Sequence, residues 1–241
     1  MRKTSLIVIS VIVIFGVITS GCVPFLVSTT STAIPPTSTF SPLPIAVLPF
    51  YNSETNQINV GDYSQQLSTS NFQELSTVLQ VMTEQRDVLT PEQMFVLAIR
   101  LFDLGDNDHA VYWFYEAQFR AKLFQIAIDP SHMGGIGDPS FELPVAYNAF
   151  TQLSSDYING YAGCDIDNWV NIAKMVKDSN PKPPDLAKLF PGVVFVESSQ
   201  WPLLNIQVAE GLDKLIGFLS DNKETVKQQR KANNLDARFC K

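Results

Sequence analysis

Residues 108–128 constrain the fold more than any other stretch, because apolar side chains cover most of a helix drawn through them. One side carries Ala110, Trp113, Phe114, Ala117, Ala121 and Phe124, and much of the other carries Tyr112, Tyr115, Phe119, Leu123 and Ile126. A helix that is apolar on most of its circumference normally packs on two sides. We therefore expect this helix at the centre of a helical layer, with the aromatic run 112–115 in the core.

Signals for further helices dominate the chain on both sides of this stretch. Ser70 is placed to cap a helix that runs to about residue 86. Thr90 offers a capping hydroxyl, Pro91 stands at the first helical position, and Gln93 is placed to reach back, which predicts a helix ending at residue 104. Further helices are expected over 143–159, from 165 or 167 to 177, over 203–219 and over 221–233, with a glycine-rich loop at 130–140.

Two short segments are candidates for extended structure. Residues 45–51 are either a short strand or an extended lead-in, and Pro49 limits a strand there to a sheet edge. Residues 193–196 are either a buried strand or part of an irregular crossing. The sequence predicts a mainly α fold, an irregular α-solenoid or an orthogonal helical bundle, with room for one short strand.

The helix pair over residues 92–122 resembles a single tetratricopeptide-type unit. The matching positions are Met94, Leu97, Ala98 and Leu101 in the first helix, Gly105 at the turn, and Ala110, Phe114 and Ala117 in the second. The small residues suit close approach of two antiparallel helices. A single unit cannot bury its own faces, so flanking helices are expected to complete the layers. By analogy of fold, the resemblance implies binding to another protein.

The N-terminus carries Ile18-Thr19-Ser20-Gly21-Cys22 at the end of an uncharged apolar run that follows Arg2 and Lys3. The run is shorter than the roughly 20 residues of a membrane-spanning helix and suits a secretory signal. This stretch resembles the signal peptide and lipobox of bacterial lipoproteins. The resemblance implies cleavage before Cys22, a diacylglycerol thioether on its sulfur and an amide-linked acyl chain. The alternatives are an ordinary secreted protein and one with a single N-terminal membrane span.

Three segments follow from this interpretation: a signal peptide at 1–21, a lipidated linker at 22–44, and a helical domain at 45–241. The linker is rich in Ser, Thr and Pro and has no charged residue, so we expect a flexible spacer. At about 3 Å per residue it would hold the domain up to roughly 60 Å from the lipid surface. Several acyl chains make such an anchor effectively permanent.

The net charge argues against one class of partner. The full chain has a formal charge of -7, and removal of Arg2 and Lys3 with the signal peptide takes it to -9. Binding to nucleic acid needs clustered Lys and Arg, so we expect no nucleic-acid partner.

The chain offers little local chemistry for catalysis. His109 lies in the first turn of the long helix beside Asp106 and Asp108, which are ordinary helix caps, although a metal site there is conceivable. His132 lies in the glycine-rich loop, whose backbone amides would suit an anion. There is no G-x-S-x-G elbow, H-E-x-x-H helix or P-loop pattern. We predict a protein that is not an enzyme and has no cofactor and no metal.

Two cysteines remain once Cys22 is assigned to lipidation. Cys164 and Cys240 are an even number, and the predicted compartment is oxidising, so we expect a disulfide between them. The alternatives are two buried thiols, or an exposed Cys240 that is available to a partner. The C-terminal tail around Cys240 is locally basic, which by default is a solvated face; the alternative is contact with anionic lipid or with an acidic partner.

Taken together, the sequence predicts a lipid-anchored, periplasm-facing accessory or scaffold of a bacterial envelope assembly, such as a secretion system. Its partner would be an envelope protein. The predicted partner-binding residues are Tyr112, Tyr115, His132, Met133 and Asp138. One alternative is an immunity lipoprotein that neutralises a delivered toxin, and another is a hydrolase or solute-binding lipoprotein. Val23, instead of the aspartate associated with inner-membrane retention, favours the outer membrane.

Overall fold

The computed structural model describes residues 60–69 and 71–240 of the chain. The predicted signal peptide, Cys22, the linker, the strand option at 45–51 and the capping role of Ser70 lie outside the described residues.

The described part of the chain is built from α-helices joined by turns and by two longer connections, at 128–138 and 190–200. The helices are α1 (Ser64–Leu67), α2 (Phe72–Glu84), α3 (Pro91–Asp103), α4 (Asn107–Ala127), α5 (Pro139–Ala162), α6 (Ile166–Ser179), α7 (Leu186–Leu189), α8 (Trp201–Asp221), α9 (Lys223–Ala232) and α10 (Leu235–Phe239). Residues 60–69 and 71–240 contain no β-strand. The prediction of a mainly α fold is confirmed.

Helix α4 lies at the centre of this fold. It contacts α3, α5, α6 and α8, and both of its predicted apolar sides are largely buried, with Tyr112 and Ile126 half-buried. The expectation of a helix packed on two sides is therefore confirmed. Contacts between α4 and helices far apart in the chain are typical of a bundle, because each repeat of a solenoid contacts only its neighbours.

Local start signals explain several of the helix boundaries. The predicted capping box at the start of α3 is present, with the Thr90 backbone N–H donating to Gln93 Oε1 at 2.9 Å. Helix α2 is capped by Asn71, whose side chain accepts hydrogen bonds from the first turn. Helix α5 begins at Pro139 instead of residue 143, since Asp138 caps it and proline suits the first position.

Aromatic side chains fill the core between α3, α4 and α5. The Phe95 ring stacks on Phe150, with ring centroids 5.3 Å apart, and meets Phe114 edge-on at 6.0 Å. All three side chains are buried. Such pairs add specific geometry to the burial of large apolar surface, so they fix how α5 sits on the central pair.

The segment at 193–196 is an irregular crossing. It forms one antiparallel bridge between Ile128 and Phe195, and the Val196 N–H donates to the Ala127 carbonyl at 2.9 Å. Phe195 also contacts the buried ring of Phe124. The crossing therefore covers the C-terminal end of α4 without forming a strand.

Among the described helices, none has both the length and the apolar character needed to cross a membrane.

Candidate partner-binding surface

The loop between α4 and α5 is held by hydrogen bonds to two aspartates. The Ser131 hydroxyl and backbone N–H donate to Asp129 at 2.7 and 2.9 Å, and the same groups of Ser140 donate to Asp138 at 2.6 and 2.8 Å. The hydroxyl bonds, followed by the backbone bonds, lower the pKa of both carboxyls below its usual value. Both aspartates therefore stay ionised over the physiological pH range.

Between these aspartates the loop exposes two large apolar side chains, Met133 and Ile136. Its backbone disfavours a larger residue at two glycines, at Gly137 through a positive φ and at Gly134 through lack of space. Gly137 has a φ of +90°, and a Cβ added to Gly134 would lie 2.2 Å from the Asp138 side chain. The glycines thus set the shape of the loop at the N-terminal end of α5.

The outer side of α5 carries a ridge of apolar side chains, which we call the α5 face. It consists of Phe141, Val145, Ala149, Leu153 and Tyr157, each four residues from the next. Residues at this spacing are neighbours on a helix and form one of the ridges by which helices pack. Leu153 is 74% exposed and Tyr157 is 52% exposed. The ridge is thus a largely exposed apolar helix surface, which α10 contacts at its Tyr157 end.

The opposite side of α5 packs against the bundle. Tyr147, Phe150 and Ile158 are buried there, and the Tyr147 hydroxyl donates to Glu92 Oε2 at 3.1 Å. Burial, followed by the nearby Glu92 charge, raises the pKa of Tyr147 well above its usual value. The α5 face is therefore the outer surface of a helix whose inner side is buried against the bundle.

The charges in this part of the chain all have one sign. Between Lys122 and Lys174 the sequence contains no lysine and no arginine. The acidic residues in the same stretch are Asp129, Asp138, Glu142, Asp156, Asp165 and Asp167. Glu142 and Asp156 lie on α5 itself, so the apolar ridge has acidic neighbours at both ends.

Helix α10 lies over the C-terminal end of α5. The Phe239 ring meets Tyr157 edge-on at 6.5 Å, and the Arg238 guanidinium lies 5.8 Å from the centre of the Tyr157 ring. The predicted disulfide between Cys164 and Cys240 is present and ties α10 to the turn after α5. The disulfide thus holds α10 next to the C-terminal end of α5, where Tyr157 ends the ridge.

The Arg230 side chain contacts both cysteines of this disulfide. Its Nη2 donates to the Gly160 carbonyl at 2.9 Å and lies 3.4 Å from the sulfurs of both bridged cysteines. Its Nε donates to Asp236 at 2.9 Å. The buried guanidinium therefore joins α5, α9 and α10.

The five predicted partner-binding residues fall in different environments. His132 and Met133 are exposed in the loop, and Asp138 caps α5. Tyr112 is half-buried, and its hydroxyl donates to Ser179 Oγ at 3.1 Å. The prediction of Tyr115 as an exposed binding residue is wrong, because its side chain is only 5% exposed.

Tyr115 is instead part of a buried polar chain. Its hydroxyl donates to Asn159 Oδ1 at 2.9 Å and accepts a hydrogen bond from Trp169 Nε1 at 3.0 Å. Burial raises the pKa of the Tyr115 phenol, so it remains a donor. The residue links α4 to α5 and α6 and cannot reach a partner.

The histidine in the loop does not form a catalytic triad. Asp129 Oδ2 and Ser131 Oγ both lie 3.0 Å from the same His132 ring nitrogen, Nδ1. A Ser-His-Asp relay needs the nucleophile and the carboxylate on opposite ring nitrogens. Within 60–69 and 71–240, no group of three or more His, Cys, Asp or Glu residues is arranged to hold a metal ion.

Sequence reasoning missed the α5 face. Apolar residues lie on both sides of this helix, so its periodicity does not reveal an exposed ridge. The charge pattern was a usable signal, because a long stretch without lysine or arginine surrounds Phe141, Val145, Leu153 and Tyr157.

Comparisons with known proteins give one distant relative. An uncharacterized protein of Haemophilus influenzae is 23% identical over 209 residues, which cover 81% of this chain and 78% of the relative. No protein-family model matches the chain, and no solved structure matches it.

Proposed function

We propose that this chain is a lipid-anchored, periplasm-facing accessory or scaffold of a bacterial envelope assembly, and that it binds a protein through the α5 face. The observation that carries the proposal is the exposed apolar ridge on a helix whose other side is firmly packed. The partner would belong to the same envelope. The chemistry of the site is recognition, and no catalytic step is assigned to it.

The apolar ridge supports a protein as the ligand. Soluble proteins rarely leave a contiguous row of large apolar side chains without a binding role. Phe141, Leu153 and Tyr157 project from one helix, and an i, i+4 ridge fits the groove of another helix. Aromatic residues such as Tyr157 are also enriched among residues that dominate binding energy.

One cavity lined by described residues is small. A cavity of about 60 Å³ lies beside Asp108, Tyr161 and Trp169. Pockets for cofactors and drug-sized ligands are typically about 300 Å³ or larger. The α5 face offers an extended surface instead, which suits a macromolecule.

The lipid anchor is the second part of the proposal. It rests on the lipobox resemblance around Cys22, and the linker over 22–44 would let the helical domain reach a partner away from the bilayer. Labelling with a radioactive fatty acid tests it: the wild-type chain incorporates label and Cys22→Ser does not. Absence of label from the mature wild-type chain contradicts the anchor.

Affinity isolation from crosslinked membranes tests partner binding, with two matched variants of the full chain. Leu153 is 74% exposed on α5 and Leu203 is 70% exposed on α8, so an aspartate at either position meets water. We expect Leu153→Asp to lose a defined envelope protein that wild type and Leu203→Asp retain. Equal recovery with all three chains, at unchanged helix content, contradicts the proposal. The identity of the protein separates an assembly subunit from a delivered toxin.

A further inference from the structure

We infer that the ligand of the α5 face is a basic amphipathic helix, with apolar side chains along one side and Lys or Arg at the flanks. This inference rests on the proposed function, because it specifies the chemistry of the partner that the face binds. Two observations support it: acidic side chains lie beside the apolar ridge of α5, and the sequence contains no lysine or arginine between Lys122 and Lys174.

Acidic side chains lie directly beside the ridge. Glu142 is three residues from Val145, and Asp156 is three residues from Leu153, so both are helical neighbours of ridge residues. Glu142 Oε1 accepts a hydrogen bond from the Gly137 N–H at 2.9 Å, which holds the carboxylate at the N-terminal end of the face. A docked helix would therefore meet a carboxylate near each end of its apolar stripe, together with Arg238 at the Tyr157 end.

The loop adds negative charge at the same end of α5. Asp138, which caps α5, keeps a lowered pKa through its hydrogen bonds from Ser140, so it remains ionised. The guanidinium of Arg238 lies over the ring of Tyr157 and is the basic group that α10 brings to the other end. The partner's cations are therefore best placed towards Glu142 and the loop.

A second copy of this chain is a poor occupant. Its clustered basic residues lie on α9, where Lys223, Lys227 and Lys231 accompany Arg230. The only aliphatic side chain larger than alanine on that helix is Val226, which is half-buried. Helix α9 therefore offers positive charge without the apolar stripe that the α5 face needs.

Two other possible ligands of the α5 face do not match its negative charge. The chain's own segment over 23–44 is uncharged, so it gains nothing from Glu142 and Asp156. An anionic lipid surface would be repelled by the acidic stretch around α5. A separate cationic partner is the occupant that matches both the apolar ridge and its charge.

The test uses the full chain in phosphatidylcholine nanodiscs and three labelled helical peptides of about 18 residues. The first has a leucine stripe with lysine flanks, the second has the same stripe with glutamate flanks, and the third has lysine flanks with serine in place of leucine. Fluorescence anisotropy measures their dissociation constants, with empty nanodiscs as the blank. We expect the first peptide to bind at least tenfold more tightly than the other two.

Matched variants place the binding on the α5 face. The double variant Glu142→Gln with Asp156→Asn keeps side-chain size and should weaken binding of the first peptide by about three- to tenfold. Leu153→Ser should weaken it as well, and Leu203→Ser should not. Raising the salt concentration should reduce the advantage of lysine over glutamate.

Other outcomes overturn the inference. Equal binding of the lysine and glutamate peptides, no binding of any peptide, or no response to the double variant would each exclude a basic partner. Self-association of the full chain that Leu153→Ser abolishes would assign the face to a second copy. Loss of a native partner on Leu153→Asp would still support the proposed function in those cases, so the two failures are distinguishable.

Discussion

The side-chain amide of Asn180 donates a hydrogen bond of 2.7 Å to the carboxylate of Glu116 in the interior of the bundle. Both residues are buried, and Asn180 Oδ1 accepts a bond from Arg120 Nε at 3.1 Å. The Asn205 side chain donates to the Asn180 carbonyl at 2.9 Å. Asn180, which directly follows α6, thus joins the buried ion pair of Glu116 and Arg120 on α4, whose charged atoms lie 3.3 Å apart, to α8. Burial raises the pKa of Glu116, and Arg120 and Arg86 oppose that shift.

Replacing Asn180 should therefore lower the stability of the fold. Asn180→Ala removes partners from a buried carboxylate and a buried guanidinium, and we expect a loss of about 2–4 kcal/mol in the free energy of unfolding. Chemical denaturation followed by circular dichroism measures it. Asn171→Ala, at an exposed position inside α6, is the matched control and should change stability little. Equal losses of stability from both substitutions would show that the buried hydrogen bonds of Asn180 do not stabilise the fold.

Two glycine substitutions should change the free energy of unfolding in opposite directions. A Cβ at Gly163 would lie 2.3 Å from Arg230 Nη1, so Gly163→Ala must displace the guanidinium from its partners and should cost about 1–3 kcal/mol. Gly217 lies inside α8 with no atom within 4 Å of an added Cβ, so Gly217→Ala should stabilise by about 0.5–1 kcal/mol. Thermal unfolding of the two variants compares them. A stabilising Gly163→Ala would refute the close packing of Arg230.

Opening the disulfide should loosen the C-terminal end of the chain. Cys164 and Cys240 are 76 residues apart, and reduction or Cys240→Ser should lower the free energy of unfolding by about 2–4 kcal/mol. Hydrogen exchange of residues 235–239 should become faster, because α10 loses its covalent tie. A reductant should not affect the Cys240→Ser variant. Unchanged exchange in the reduced wild type would mean that noncovalent contacts alone hold α10.

The stability that the Asp138 cap gives to α5 should decrease at acidic pH. Hydrogen bonds from Ser140 lower the folded-state pKa of Asp138 below the usual 3.8. The stabilisation is therefore complete above the unfolded value and is lost as the pH falls through 3.8 towards the folded pKa. Carboxyl NMR titration measures this pKa directly. Asp138→Asn retains a capping oxygen and should remove this pH dependence; a pKa at or above 3.8 would contradict the assignment.

The parts of the fold that depend on local sequence were predictable. Thr90 and Gln93 form their capping box within one helical turn, and the apolar circumference of α4 required neighbours on both sides. The start of α5 was misplaced because residue 143 was chosen as the first helical position, although Asp138 and Pro139 carry the stronger start signal.

The environment of each tyrosine on α4 could not be predicted from local sequence. Tyr112 and Tyr115 both lie in an aromatic run on a helix that is apolar all round. Tyr115 is buried because Asn159 and Trp169, which are 44 and 54 residues away, supply its polar partners. Such contacts depend on tertiary packing, which a helical periodicity does not contain. The exposed ridge of α5 was missed for the same reason.

Site-specific photocrosslinking tests the central claim most directly. A photoreactive residue replaces Leu153 in the full chain, or Leu203 as the equally exposed control, and adducts formed in intact cells are mapped by mass spectrometry. Binding through the α5 face predicts one protein adduct at position 153, on a helical segment with basic flanks, and none of it at position 203. The same adduct at both positions, or adducts to lipid alone, would contradict the account.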